Sequence, residues 1–316
     1  MSSADFQSMN TMKRIDNDSQ GKLRLLILFC ALSMAAPVIS EARCTEDPFE
    51  IKPIKDDGRV ELHAVNSSDV PITITLQVWT RYMKADRSRT VTETVPPNES
   101  QLFIVLSETD QNKNSRYGYD CASTIGSIDA KHDDNLLYRL PYATGKSYYV
   151  LQGYGSRLSH TGPEEYTVDF KMREGTAVHA ARGGIVVKMQ ESHSRGCWRD
   201  GCGKYANYIV LLHDDWTTGE YYHLQQYGAL VELGDRVVAG QKIGLSGDTG
   251  NSALPHLHFG VYRAAPWGKF HSVPVHFSSL DGIVRKPRRG GRYQAVSTRS
   301  SAKSQADDDD SSRSLH

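Results

Sequence analysis

The stretch Pro255-His256-Leu257-His258-Phe259-Gly260-Val261-Tyr262 decides how the second half of the chain is read. Read as a strand, it sends residues two apart to the same face, so His256 and His258 project together while Leu257 packs behind them. The glycine-rich turn Ser246-Gly247-Asp248-Thr249-Gly250 lies just upstream. Two imidazoles on one face beside such a turn suit a metal site or an acid–base pair. A His-x-His pair alone is also a common feature of plain surfaces.

Asp169 stands in a similar setting, between Val168 and Phe170. Those two side chains face the other way, so an inward carboxylate between them needs a partner. A dication serves, and an Arg or Lys is the plainer alternative. A hydrolytic zinc site uses three protein ligands and leaves one position open. Two neutral imidazoles and one carboxylate fit that requirement, and the ion activates water near neutral pH. A spare imidazole can then move a proton or steady an oxyanion.

Residues 178–189, 205–212, 220–224 and 256–262 all read as strands, and residues 234–244 punctuate short apolar runs with glycine at turn spacing. Helical periodicity is almost absent, so residues 143–284 are expected to form an antiparallel β domain. Residues 43–142 look strand-like as well. Within 59–66, Val60, Leu62 and Ala64 alternate with Glu61, His63 and Val65, and residues 72–80 and 101–106 are further β-rich runs. Short strands between polar turns predict a small β-sandwich-like N-terminal domain. The fold class is therefore mainly β, in two domains.

Both ends differ from this pattern. After Lys22 and Arg24, an apolar run over 25–39 is broken only by Ser33 and Pro37. Its basic flank and shortness predict a signal peptide over 1–42 rather than a spanning helix of ~20 residues. Cleavage would fall after Ser40 or Ala42, and Met12 competes with Met1 as the start. Residues 285–316 pass from a Lys/Arg/Gly-rich cluster to serines around Asp307 and Asp310. So few apolar residues cannot offset the entropy of ordering, which predicts a disordered tail. Overall, 37 basic and 37 acidic residues cancel, so nothing asks for nucleic acid as a partner.

Export makes the cysteines readable. Cys30 would leave with the signal, and the remaining four form an even set for an oxidising compartment. Cys197 and Cys202 bracket a short loop and pair together, which leaves Cys44 for Cys121. A cysteine-bound structural zinc would need a second close pair.

Four segments then line up. They are His160 to Asp169, then Gly175-Thr176-Ala177-Val178-His179-Ala180-Ala181-Arg182-Gly183-Gly184-Ile185-Val186, then Tyr221-Tyr222-His223-Leu224, and finally Gly247 to Phe259. In this order they resemble the lysostaphin-type, or LytM-like, zinc metallopeptidases over about residues 152–262. The first His and the Asp stand closer together in many family members than here, where Thr161 to Val168 intervene. The resemblance implies one zinc ion held by His160, Asp169 and His258. It implies that His223 and His256 are catalytic, one assisting deprotonation and the other steadying the oxyanion and departing amine, with the assignment open. It also implies a β-rich groove, hydrolysis of peptide cross-links in bacterial peptidoglycan, and a periplasmic or secreted location without a stable membrane span. Two rival readings stand beside this one. One is a non-catalytic LytM-like protein that binds peptidoglycan and regulates an amidase; the other is a zinc protease acting on exported proteins. The complete set of five residues favours catalysis. His63, His132, His179, His193, His213, His271 and His276 are expected to have no role in the site. Tyr154, Tyr221 and Trp267 are candidates to line the groove, with ordinary packing as the alternative.

Overall fold

A computed structural model describes residues 44–46 and 48–297. The expected signal peptide, with Met1, Met12 and Cys30, lies outside the described residues, as does everything after 297. Among the described residues no helix is long and apolar enough to cross a membrane.

The first domain contains β1 (Thr45–Glu46), β2 (Phe49–Asp56), β3 (Arg59–Asn66), β4 (Ile72–Arg81), β5 (Met83–Ala85), β6 (Thr90–Val95), β7 (Ser100–Glu108) and β8 (Arg116–Ile125). They form two sheets, ordered β1-β2-β3-β7-β5 and β6-β4-β8. Alternation explains the packing. Val60, Leu62 and Ala64 from β3 meet Ile72, Ile74, Leu76 and Val78 from β4 in one buried cluster, giving the expected sandwich. The Cys44–Cys121 disulfide ties the residue before β1 to β8.

The second domain adds β9 (Leu137–Arg139), β10 (Ser147–Gln152), β11 (Val168–Phe170), β12 (Ala177–His179), β13 (Gly184–Gln190), β14 (Tyr208–Leu212), β15 (Thr218–Tyr222), β16 (Leu224–Ala229) and β17 (Arg236–Val237). It is completed by β18 (Lys242–Ser246), β19 (Leu257–Ala265), β20 (Lys269–Ser272), β21 (His276–Ser279), β22 (Gly282–Val284) and β23 (Arg292–Gln294). The main sheet runs β17-β13-β14-β15-β19-β11-β10-β23, with β20 also paired to β19. One face of it carries Val150, Val168, Phe170, Ile209, Leu211, Tyr221, Leu257, Phe259 and Val261 into a single core. Each large apolar side chain buried there contributes about 1.5–3 kcal/mol. The opposite face carries the polar residues described below.

Several expected boundaries move. The strand foreseen over 178–189 is two strands, β12 and β13. The strand foreseen over 220–224 breaks at His223, whose φ of 64° ends β15. The domain seam lies upstream of 142, because β9 pairs in parallel with β21 and Tyr138, Leu140 and Tyr142 belong to the second core. The expectation of disorder from Arg285 also needs correction. Residues 285–297 are part of the fold, β23 pairs with β10, and Ala295 is buried. Backbone pairing along an open sheet edge holds this segment despite its polar composition.

Trp267 sits at the tip of the β19–β20 hairpin, where its N–H donates to Thr75 Oγ1 of the first domain at 2.9 Å. That tip lies at the far end of β19 from His258. The first domain therefore docks away from the polar cluster.

Candidate metal and catalytic site

The site begins with the register of β11 against β19, which sets Asp169 opposite His258. Val168, Phe170, Leu257 and Phe259 point into the core, so Asp169 and His258 must project from the other face. Next to them, β15 places Tyr222 opposite His258, and β10 places Gln152 opposite Asp169. His160 comes from the loop before the 3₁₀ turn Gly162–Glu164, and its N–H bonds to Ser156 O at 3.1 Å.

His160, Asp169 and His258 converge, with one donor atom from each lying within 4.8 Å of the others. Asp169 Oδ1 is 2.9 Å from His258 Nδ1 and 3.2 Å from His160 Nε2. Asp169 Oδ2 accepts Gln152 Nε2–H at 2.7 Å. His160 is 1% exposed; its Nε2 faces Asp169 Oδ1 without hydrogen-bond geometry, and its Nδ1 has no hydrogen-bond partner. Burying a polar atom without a partner costs about 1–3 kcal/mol. A cation coordinated by His160 would remove that cost, and two imidazoles with one carboxylate are the donor set zinc accepts. The residues present fit a metal ion.

Electrostatics point the same way. Burial pushes the Asp169 carboxyl up, but His160 and His258 outweigh it and hold it well below the usual carboxylate range. Burial pulls His258 down, yet its hydrogen bonds to Asp169 and Glu164 push it up to about 10. His258 Nε2 lies 3.3 Å from Tyr262 OH and 3.7 Å from Glu164 Oε2, and Tyr262 OH donates to that same oxygen at 2.6 Å. Both His258 nitrogens therefore face oxygens. Nδ1 points to the ligand cluster, and Nε2–H is held from behind by a hydroxyl and a carboxylate. Metal-bound histidines ordinarily have such a partner on the far nitrogen.

His223 and His256 stand beside this cluster, their ring centroids 4.5 Å apart. His223 Nδ1–H donates to Thr249 O at 2.7 Å, and His256 Nδ1–H donates to Leu254 O at 2.8 Å. A carbonyl can only accept, so both rings carry a proton on Nδ1, and it is Nε2 that holds the lone pair of the neutral ring. His256 Nε2 is 3.9 Å from Asp169 Oδ1, so that nitrogen opens on the site. Burial, with His256 and His258 nearby, drives His223 well below the ordinary imidazole range and keeps it neutral. The positive φ of His223 turns its side chain out of the strand path and toward His256.

Thr249 is held in turn. Its Oγ1 donates to Leu224 O at 2.7 Å and accepts Asn207 N–H at 3.0 Å. Gly250 adopts φ +79°, and a Cβ there would stand 2.6 Å from Ala206 Cβ, so only glycine fits. The loop closed by the Cys197–Cys202 disulfide leans on this turn, with Cys197 N–H donating to Gly250 O at 2.9 Å.

All five residues singled out from the sequence meet in one place. The other histidines stay out of it. His213 bonds Gly183 O, His193 bonds Gln190, His132 bonds Asp134 and Tyr138, and His63 bonds Glu61. The aromatic candidates also take packing roles. Tyr221 is fully buried and accepts Ala181 N–H, and Tyr154 donates to Val275 O. Two other tyrosines reach the site, Tyr262 through its hydroxyl and Tyr222 with its ring centroid 6.1 Å from that of His258. Gln152, Glu164 and Tyr262 went unrecognised in the sequence. Tyr262 had a signal, since it lies four residues beyond His258 on the same strand face. Gln152 and Glu164 carried none.

Residues 163–270 match Peptidase family M23, a span that includes Asp169, His223, His256 and His258 and starts just after His160. Over 109 residues the chain is 40% identical to the glycyl-glycine endopeptidase ALE-1 of Staphylococcus capitis, covering 34% of this chain and 27% of that protein. It is 41% identical over 109 residues to lysostaphin of Staphylococcus simulans, covering 34% of this chain and 20% of that one. It is 37% identical over 91 residues to the peptidoglycan DD-endopeptidase ShyA of Vibrio cholerae serotype O1, covering 29% of this chain and 18% of that one. The match thus spans between 18% and 27% of the length of each of these relatives.

Proposed function

We propose that this chain, whose residues 163–270 match the M23 peptidases, is a zinc-dependent endopeptidase of the bacterial cell envelope that hydrolyses peptide cross-links of peptidoglycan. One observation carries the reading. Donor atoms of His160, Asp169 and His258 lie within 4.8 Å of one another, and the buried Nδ1 of His160 lacks a hydrogen-bond partner. His160, Asp169 and His258 would hold one zinc ion, which when bound would polarise the scissile carbonyl and activate water.

The chain's own residues supply the rest. Peptide hydrolysis joins a water oxygen to the carbonyl carbon, breaks the C–N bond and moves a proton to the departing amine. His223 and His256 each present an Nε2 lone pair, so either can take the proton from the attacking water. Once protonated, that Nε2–H becomes the donor to the oxyanion and then to the amine. Gln152 and Asp169 hold the floor of the site, and Glu164 with Tyr262 fixes the His258 ring.

The two disulfides suit an oxidising compartment outside the cytoplasm, in keeping with the signal peptide expected from the sequence. The test uses the full chain freed of its signal segment, incubated with purified sacculi and with casein, before and after metal removal. Release of soluble muropeptides that stops on chelation and returns with zinc is expected, with casein left intact. Cleavage of casein alone, or solubilisation that survives complete metal removal, would overturn the reading.

A further inference from the structure

The sheet face that holds Asp169 continues past it. Phe170 points into the core, so Lys171, the residue after it, projects to the same side as Asp169. The Lys171 N–H donates to Tyr149 O at 2.8 Å on the neighbouring strand. On β10, Tyr148 and Val150 pack against the core, and Tyr149 between them points outward with 51% of its surface exposed. On β23, Arg292 stands opposite Tyr149, its guanidinium 5.3 Å from the Tyr149 ring centroid. Lys171, Tyr149 and Arg292 thus occupy neighbouring positions on one exposed face, with strands about 4.8 Å apart. Lys171 is about 7 Å along the chain from Asp169. It lies on the side from which His256 enters, because Phe170 pairs with Leu257.

Lys171 and Arg292 are both exposed. Among the described residues neither has a carboxylate within ion-pair distance, whereas Arg182 pairs with Asp215 at 2.6 Å. In a chain whose charges cancel at 37 against 37, two uncompensated cations beside an aromatic ring on the floor of the site are a local feature. A guanidinium packed on a ring keeps its edge free for a carboxylate, and an ammonium one strand away adds a second donor.

We propose that Lys171, Tyr149 and Arg292 form a subsite that binds a carboxylate on the substrate peptide, on the His256 side of the scissile bond. This deepens, and rests on, the peptidase reading. The lysine and arginine would supply charge-assisted hydrogen bonds, and the tyrosine would orient the arginine.

The experiment uses two synthetic wall-type peptides that differ only in one side chain, a free carboxylate in one and its carboxamide in the other. Binding is measured by fluorescence anisotropy with the metal-free full chain, and cleavage with the zinc-loaded chain. The wild type should prefer the carboxylate peptide by roughly tenfold in Kd and in KM with kcat little changed, and the preference should fade as salt rises. The Lys171→Gln/Arg292→Gln double variant should lose that preference and bind the carboxamide peptide as before. Equal affinity of the wild type for both peptides would overturn the subsite, as would equal loss for both in the variant. Preference retained by a metal-free chain that, when loaded, cleaves neither peptide would overturn the peptidase reading and leave the subsite standing.

Discussion

Replacing Glu164 with Gln tests whether the site is a metal centre organised from behind. Glu164 Oε2 accepts Tyr262 OH at 2.6 Å and lies 3.7 Å from His258 Nε2, while His258 Nδ1 faces Asp169 at 2.9 Å. Burial pushes Glu164 up, but His258 and Tyr262 outweigh it and hold the group ionised. Its charge therefore acts on the nitrogen of His258 that points away from the ligand cluster, making Nδ1 a stronger donor and fixing the ring plane. Glutamine keeps the volume and can still accept the tyrosine hydroxyl, so only the charge is lost. Outer partners of metal ligands typically contribute 10–100-fold in affinity. Because Tyr262 remains in place, the loss should lie toward the lower part of that range, about 10–30-fold, or about 1.4–2 kcal/mol. Competition with a chromophoric chelator at fixed pH measures the zinc Kd of the full chain directly. Tyr262→Phe should cost less, and the double variant should cost little more than Glu164→Gln alone, since both act on the same nitrogen. Wild-type zinc affinity in a Glu164→Gln protein with an unchanged circular dichroism spectrum would refute the reasoning.

Two further outcomes are expected. His256→Ala should retain zinc by metal analysis yet lose about 10²–10⁴-fold in turnover, because the ring contributes a proton-transfer partner rather than a ligand; loss of zinc in that variant would instead make His256 a ligand. His213, which is 2% exposed, is lowered to about 4 by burial. Between about pH 6.5 and pH 4 the unfolded chain binds a proton there that the folded chain does not, so folding stability falls as pH falls through that window. Urea denaturation of the metal-free chain at pH 7 and pH 4.5 should show about 2 kcal/mol more loss in the wild type than in His213→Gln, and identical pH dependence would count against a buried neutral imidazole.

Much of the site was legible because strand alternation is local. Val168 and Phe170 turn inward whatever their partners, so Asp169 must turn out, and Leu257 does the same for His256 and His258. The disulfide partners followed from an even count and one short loop. The break at His223 was not legible. Nothing in Tyr221-Tyr222-His223-Leu224 shows that the histidine takes a left-handed φ of 64°, where the chain leaves β15 for β16, which pairs with β18, and the ring bonds the Thr249 carbonyl. Glu164 and Gln152 were silent for a related reason. A 3₁₀ turn has no side-chain period to read, and the register shift between Val150 and Gln152 reverses the face that simple alternation would assign.

The amino-acid sequence alone determined that the chain is built of strands, and that Asp169, His256 and His258 turn to the face opposite their apolar neighbours. The tertiary structure alone decided that His160 and His258, 98 positions apart by their numbers, share one carboxylate, that Glu164 and Tyr262 stand behind one of them, and that a basic segment at the far end closes the sheet as β23. The physical reason is that side-chain direction is a property of neighbouring residues. Register and loop placement are properties of which distant strands exclude water together.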